Sequence, residues 1–482
     1  MHPDYEMVIG LEIHAQVNSK SKLFSGSSIE FGSEPNTQAN IIDLAMPGVL
    51  PVLNTEAVDA GIKLGFALKA RVNRKSVFSR KNYFYPDLPK GYQITQFELP
   101  IVEHGTLTID FEDGTTKDIG ITRMHLEEDA GKSVHDFGDE SHSHVDLNRA
   151  GTPLMEIVSE PDLRTAEEAG IYVRKMRAIL RFLDVCDGNM DEGSMRCDVN
   201  VSVRKKGITE LGTRCEIKNV NSVRSVMKSI DYEASRQIDV IESGGEIAQQ
   251  TRLWDEAKGV TRAMRSKENA HDYRYFSDPD ILPLCLTEER IEKIKENMPE
   301  LPDEMKARFI GEYKLTTYDA AVLTLSRASA SFYERVVDAE GKNNDPKLCA
   351  NWLTVELFGA LNKISKDITE SPVSPENLGE LVSLIEDKTI SGKIAKTVFE
   401  EMLESGSSPK KIVEEKGLVQ ITDVSALEDI VKGIINNNAE TVEQYKSGNQ
   451  RVIGFFVGQV MKETQGKANP GIVNDLLRAN LQ

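Results

Sequence analysis

In Val8-Ile9-Gly10-Leu11-Glu12-Ile13-His14-Ala15-Gln16-Val17, apolar and polar residues alternate. A strand here puts Ile9, Leu11, Ile13, Ala15 and Val17 on one face and Glu12, His14 and Gln16 on the other. The same period recurs from Met195 to Arg204, with Arg196, Asp198, Asn200, Ser202 and Arg204 in one row, and a third row holds Arg214, Glu216 and Lys218. Each row taken alone fits the solvated face of an antiparallel sheet. Three rows of mixed sign predict a lined cleft. Helical spacing follows Thr165, which has Glu168 three residues on in a capping-box pattern and then Ile171, Met176, Ile179, Leu180 and Leu183. A second helix is predicted from a Ser222 cap to Gly244-Gly245. Both flank the polar rows and are expected to back the sheet.

Beyond about residue 293, strand signals become rare and helix caps recur. The pattern predicts an α+β domain over 1–293, a helical domain over 294–406 and a small helical tail over 407–482. In the tail, Ser408-Pro409 opens a helix that Gly417 closes, and Asn469-Pro470 opens the last one. Ser391-Gly392-Lys393 reads as a helix start, and Gly454 and Gly458 as part of a packed helix.

A length of 482 residues, with 39% hydrophobic and 28% charged residues, is that of a globular protein of several domains. No apolar run approaches the roughly 18 residues a spanning helix needs, and the N-terminus enters a strand without a basic or apolar leader, so no membrane partner and a cytoplasmic location are expected. Five scattered cysteines without a C-x-x-C pair suggest neither a disulfide framework nor a thiolate zinc site. The net charge of −19 disfavours unspecific polyanion binding. From 410 to 482, nine bases balance nine acids, so the tail opposes nucleic acid least.

Gly131-Lys132-Ser133 lacks the glycine a P-loop needs five positions earlier, where Leu126 stands. The preceding Glu127-Glu128-Asp129 is either a surface turn or, with Glu12, Asp198 and Glu216, a source of hard oxygen ligands for magnesium. His14 is less usual for that ion and is expected to act through water. Arg80-Lys81-Asn82-Tyr83-Phe84-Tyr85-Pro86 interleaves bases and aromatics, as a loop that stacks a base and holds phosphate would, or as a structural aromatic turn would. His135, His142 and His144 lack a fixed ligand spacing and read as loop residues. No G-x-S-x-G elbow or serine-lysine setting supplies a nucleophile for amide hydrolysis.

Val8 to His14, Pro47-Gly48-Val49-Leu50-Pro51, Arg80 to Asp87, His125 to Lys132, Asn148 to Leu154, Glu156 to Asp162, Gly193 to Asp198 and Lys218-Asn219-Val220-Asn221-Ser222 resemble the B subunits of the bacterial tRNA-dependent amidotransferases over essentially the whole chain. The resemblance implies a cradle-shaped domain built on an antiparallel sheet, then a helical domain and a tRNA-contacting tail. It implies a heterotrimer with the A and C subunits that acts on Glu-tRNA(Gln), Asp-tRNA(Asn) or both. The A subunit would release ammonia from glutamine, and the B subunit would activate the side-chain carboxylate with ATP and Mg²⁺. On the same likeness Glu12, His14, Glu128, Asp198 and Glu216 are expected as metal ligands, direct or through water. Glu127 and Lys218 join Glu128 as catalytic candidates, and Arg80, Lys81 and Tyr83 are candidate nucleotide or acceptor-end contacts. Ser25-Gly26-Ser27 stands where some members carry cysteines after Lys-Leu-Phe, which removes a thiolate site. The continuous stretch from Asp272 to Pro283 leaves no room for the domain inserted in the related archaeal E subunits.

Overall fold

A computed structural model of the chain describes residues 2–481 apart from 112, 135–141, 267–271, 342, 365, 421–423, 448 and 465–466. Two compact units divide it, 1–301 and 302–482. His135 lies outside the described residues.

The first unit is α+β. Its main sheet runs, strand by neighbouring strand, through Val260–Ser266, Gln250–Asp255, Cys215–Lys218, Met195–Lys205, Tyr5–Gln16, Pro153–Ser159, Thr116–Glu128, Tyr92–Gln96, Phe78–Asn82 and Phe276–Ser277. Every pair along this path is antiparallel except Cys215–Lys218 with Gln250–Asp255, which is parallel. The exception has a cause in the sequence. The helix Val223–Glu242 lies between these two strands in the chain and carries it back across the sheet, as a parallel pair requires.

The alternation in the first strand sorts as its residues dictate. Ile9 and Ile13 are 0% exposed and pack in a core shared with the helices Thr55–Ala67, Ala166–Phe182 and Val223–Glu242, while Glu12 and His14 stay partly open on the opposite face. Both predicted caps form: the Thr165 hydroxyl accepts the Glu168 N–H, and that of Ser222 accepts the Ser225 N–H. The expected capping box closes only halfway. The Glu168 carboxylate takes the N–H of Arg164 instead of the cap residue's own, and is drawn aside by Lys117 at 2.8 Å. Helix Glu288–Glu296 belongs to this unit, because Ile291 enters its core and Arg290 holds Asp59 at 2.6 Å.

The second unit is helical. Ser391 caps Gly392–Ser405, which ends on a left-handed Gly406 (φ 66°), and helices start at Pro409 and Pro470 as their Pro-at-N1 patterns indicate. Leu427, Val431, Phe456, Val460, Val473 and Leu477 form a separate buried cluster toward the C-terminus.

Candidate functional site

Strand register gathers the charged rows on the face turned away from the helices. Glu12 stands opposite Asp198, and Asn200, two residues on, stands opposite Glu216. One carboxylate oxygen from each of Glu12, Asp198 and Glu216 lies within 4.8 Å of the others. Asn200 donates its amide to Glu12 at 3.0 Å, and the Thr251 hydroxyl donates to Glu216 at 2.9 Å. Lys218 is the cation among them, hydrogen-bonded to Asp198 and 3.0 Å from Glu216. Burial raises the Glu12 carboxyl, and the like charges of Glu156, Glu216 and Asp198 raise it further against the opposing pull of His14. Glu12, Asp198 and Glu216 thus offer three hard oxygen donors that could hold a cation.

A second cluster adjoins the first, one alternation further along the same strand. His14 faces Glu156, which in turn faces His125 on the next strand. His14 Nε2 is 3.5 Å from Glu156 and 4.0 Å from Glu127, while His125 Nε2 is 3.4 Å from Glu156. The Thr95 hydroxyl donates to Glu127 at 3.2 Å. Burial opposes charge on both histidines, but their contacts with Glu156 and Glu127 outweigh it and raise both, His125 to about 9. Burial likewise opposes charge on Glu156, yet the two histidines hold it well below the usual carboxylate range. His14, Glu127 and Glu156 each offer a ligand atom within 4.8 Å of the others. Glu156 is the member that sequence reasoning missed. Its signal was an acid alone in the otherwise apolar row Leu154, Glu156, Val158, the even positions of their strand.

The three consecutive acids take three different places. Glu127 belongs to the second cluster. Glu128, the next residue on the strand, points the other way, as a period of two demands, so it enters neither cluster: Lys90 pairs with it and the Ile94 N–H donates to it at 2.9 Å. Asp129 is buried, and Arg196 (2.8 Å) and Gln16 (3.0 Å) hold it. Burial would raise its carboxyl, but Arg196 and Arg149 keep it low.

Among the nucleotide candidates, the Arg80 guanidinium is engaged with Asp278 and Asp280, both at 2.8 Å, and lies 4.2 Å from the Tyr92 ring centre. Lys81 lies 5.0 Å from the Tyr273 ring, and the charges of Glu127 and Glu156 reach it, so its ammonium is favoured although burial opposes it. Burial raises the Tyr83 phenol, as does Glu127. Gly131-Lys132-Ser133 enters a hairpin, Lys132–Val134 with His144–Asp146, and no phosphate loop forms there. His142 and His144 belong to neither cluster.

Two family models match the chain. The family model of the GatB/GatE catalytic domain matches residues 7–292, which hold both clusters, and that of the GatB domain matches 331–481. A protein of Thioalkalivibrio sulfidiphilus is 58% identical over 480 residues, covering 99% of this chain and 100% of its own. One of Rhodospirillum rubrum is 57% identical over 477 residues, covering 99% and 97%, and one of Alkalilimnicola ehrlichii is 58% identical over 479 residues, covering 99% of each. Each of the three is the B subunit of an aspartyl/glutamyl-tRNA(Asn/Gln) amidotransferase. With both family models matched and similarity at this level from end to end, the chain belongs to the B-subunit family of the tRNA-dependent amidotransferases.

Proposed function

We propose that the cleft bearing the two clusters is where the side-chain carboxylate of Glu-tRNA(Gln), Asp-tRNA(Asn) or both is activated with ATP and then amidated. The chain is the B subunit of a glutamine-dependent carbon–nitrogen ligase that works in tRNA-dependent transamidation with the A and C subunits. A carboxylate is a poor acyl donor at neutral pH, so the γ-phosphoryl group of ATP must first be transferred to it. This gives an acyl phosphate and ADP; ammonia released from glutamine by the A subunit then attacks the acyl carbon and phosphate leaves.

One observation carries this reading: three carboxylates within 4.8 Å beside a second acid-histidine group, on the open face of a sheet. The donor set is hard oxygen with one imidazole, which suits Mg²⁺ bridging phosphates. Glu12, Asp198 and Glu216 would hold one ion, and His14, Glu127 and Glu156 a second. When bound, such ions neutralise phosphate charge during transfer. Lys218 moves from its carboxylates toward phosphate oxygens, and Lys81 offers a further cation at the edge of the second cluster. Glu128 supports the strand end by fixing Lys90 and Ile94. The tail, 407–482, contacts the body of the tRNA. The site of action we propose is the cytoplasm, where charged tRNAs are used in translation. Among the described residues no helix is long and apolar enough to cross a membrane.

The test is mutation of the assembled heterotrimer. Asp198→Asn should abolish ADP formation dependent on charged tRNA while tRNA affinity stays within about twofold. Undiminished ADP formation would reduce the acidic cleft to a structural ion site on a scaffold.

A further inference from the structure

At the far edge of the same sheet face, four aromatic rings and one lysine gather without entering the core. Phe97 and Tyr275 stack face to face, with ring centres 4.1 Å apart and planes 3° from parallel. Tyr273 meets Tyr275 edge-on at 6.0 Å and Tyr83 at 6.1 Å. The Lys81 ammonium sits 5.0 Å from the Tyr273 ring. Phe97 is 44% exposed, although burying a phenylalanine stabilises by roughly 2 kcal/mol. The backbone is also held out of its preferred state. Arg274, between the two tyrosines, has φ +43°, a left-handed conformation that a bulky residue rarely adopts. Asn82 fixes it there, its side-chain amide donating to the carbonyls of Tyr273 (3.1 Å) and Arg274 (2.9 Å). One exposed ring, three half-buried ones beside it and a maintained strain suit a binding platform better than a core.

Register relates this platform to the clusters. Ser79 pairs with Thr95, and Thr95 with Glu127, so Lys81, at an odd position with Ser79, faces the same way as Glu127. Tyr83 follows the last residue of that strand, and the Glu127 charge reaches its phenol. Lys81 pairs with Gln93, so two strand spacings and a two-residue offset along the strand separate it from Glu127, about 12 Å. A ribose, its ester and a glutamyl side chain span about the same distance at roughly 1.5 Å per bond. From this geometry we infer that Phe97, Tyr275, Tyr273 and Tyr83 stack the unpaired 3′-terminal bases of the charged tRNA, with Lys81 beside the backbone, and so deliver the aminoacyl carboxylate to the acidic clusters. The inference rests on the activation reading above. Several rings in succession suit a single strand, which presents one base after another, whereas ATP presents one. Stacking accepts any base by its π-face, so one platform serves tRNAs of different identity.

The experiment uses the heterotrimer with tRNA carrying a fluorescent purine analogue at its unpaired 3′ positions. The wild type should quench the analogue on binding. In Phe97→Leu/Tyr275→Leu, which keeps apolar volume but removes the rings, quenching should disappear and KM for charged tRNA should rise about tenfold, with KM for ATP unchanged. Tyr275→Phe, which keeps the ring, should behave as wild type and separates stacking from misfolding. A tRNA trimmed of its unpaired 3′ nucleotides should bind the wild type and the double variant equally. Retained quenching and an unchanged KM in the double variant would overturn the inference, as would a KM rise confined to ATP, which would make the platform an adenine site of the nucleotide. Wild-type ADP release that depends on charged tRNA is measured alongside: its absence overturns the activation reading itself, while its presence with the platform result negative overturns only the platform.

Discussion

Replacing Glu233 by Gln tests whether the helix behind the acidic strands is held by charge. Glu233 has no exposed side-chain surface. One oxygen accepts from Arg236 (2.6 Å) and Gln237 (3.0 Å); the other accepts from Thr261 (2.8 Å) and lies 3.1 Å from Arg252, itself 9% exposed. These contacts tie Val223–Glu242 to the Gln250–Asp255 and Val260–Ser266 strands, and Thr251, beside Arg252, supports Glu216. Glutamine keeps the shape but turns an N–H group toward donors and leaves Arg252 short of its counter-charge. Breaking a buried pair from one side costs about 3–5 kcal/mol, which at an m value of about 3 kcal/mol/M is a urea-midpoint drop of roughly 1–1.7 M. Burial opposes the Glu233 charge, but Arg236, Gln237 and Thr261 outweigh it and hold the carboxyl below its usual value. Its contribution is therefore present above the unfolded pKa, about 4.3, and is lost as pH falls through the folded one. Urea unfolding of both forms at pH 7 and 3.5 reads this directly: the gap should be full at pH 7 and narrower at 3.5. Equal midpoints at pH 7, or a gap that does not change with pH, would mean that charge on Glu233 does not hold this helix.

Four further outcomes are expected. Lys218→Met, which removes a cation competing for the same carboxylates, should tighten Mn²⁺ binding several-fold in calorimetry and slow ADP formation; weaker Mn²⁺ binding would show the lysine to be a support of the acids. Glu127→Gln should lower Mn²⁺ stoichiometry by one site, while Glu128→Gln should leave it unchanged and lower the unfolding midpoint, since that residue faces Lys90. Arg80→Ala, which strands Asp278 and Asp280, should destabilise by about 2–4 kcal/mol, read in urea unfolding. Deleting residues 410–482 should weaken tRNA binding by the heterotrimer more than it slows ammonia release from glutamine; unchanged tRNA affinity would remove the tail from the tRNA contact.

What was legible in the sequence was local. The alternation around Glu12 and His14 sorted one strand into core and cleft faces, and the caps at Thr165, Ser222, Ser391, Ser408 and Asn469 marked helices that form where they were expected. Neighbour relations between distant segments were not written in any window. That Glu156 stands between His14 and His125 depends on the pairing of three strands far apart in the chain, and the meeting of Phe97 with Tyr275 depends on the edge strand Phe276–Ser277 joining the sheet. Glu128, which contacts Lys90 and the Ile94 N–H, shows a different effect. The alternation that placed Glu12 also forbids two adjacent residues on one strand from sharing a face, but a run of three acids hides the strand that carries it and with it that constraint. The parallel pair beside Glu216 follows from the helix that precedes its partner strand, a rule of connection that periodicity alone does not express.

The proposed role of the paired clusters is activation of the tRNA-borne carboxylate. Its most direct test is ADP release from the heterotrimer given ATP, Mg²⁺, ammonium and charged tRNA without glutamine. ADP should appear only with Glu-tRNA(Gln) or Asp-tRNA(Asn), together with the amidated product, and should vanish in Asp198→Asn. If an assembled complex that binds both charged tRNAs forms no ADP with either, or forms it undiminished in Asp198→Asn, activation does not take place at these residues.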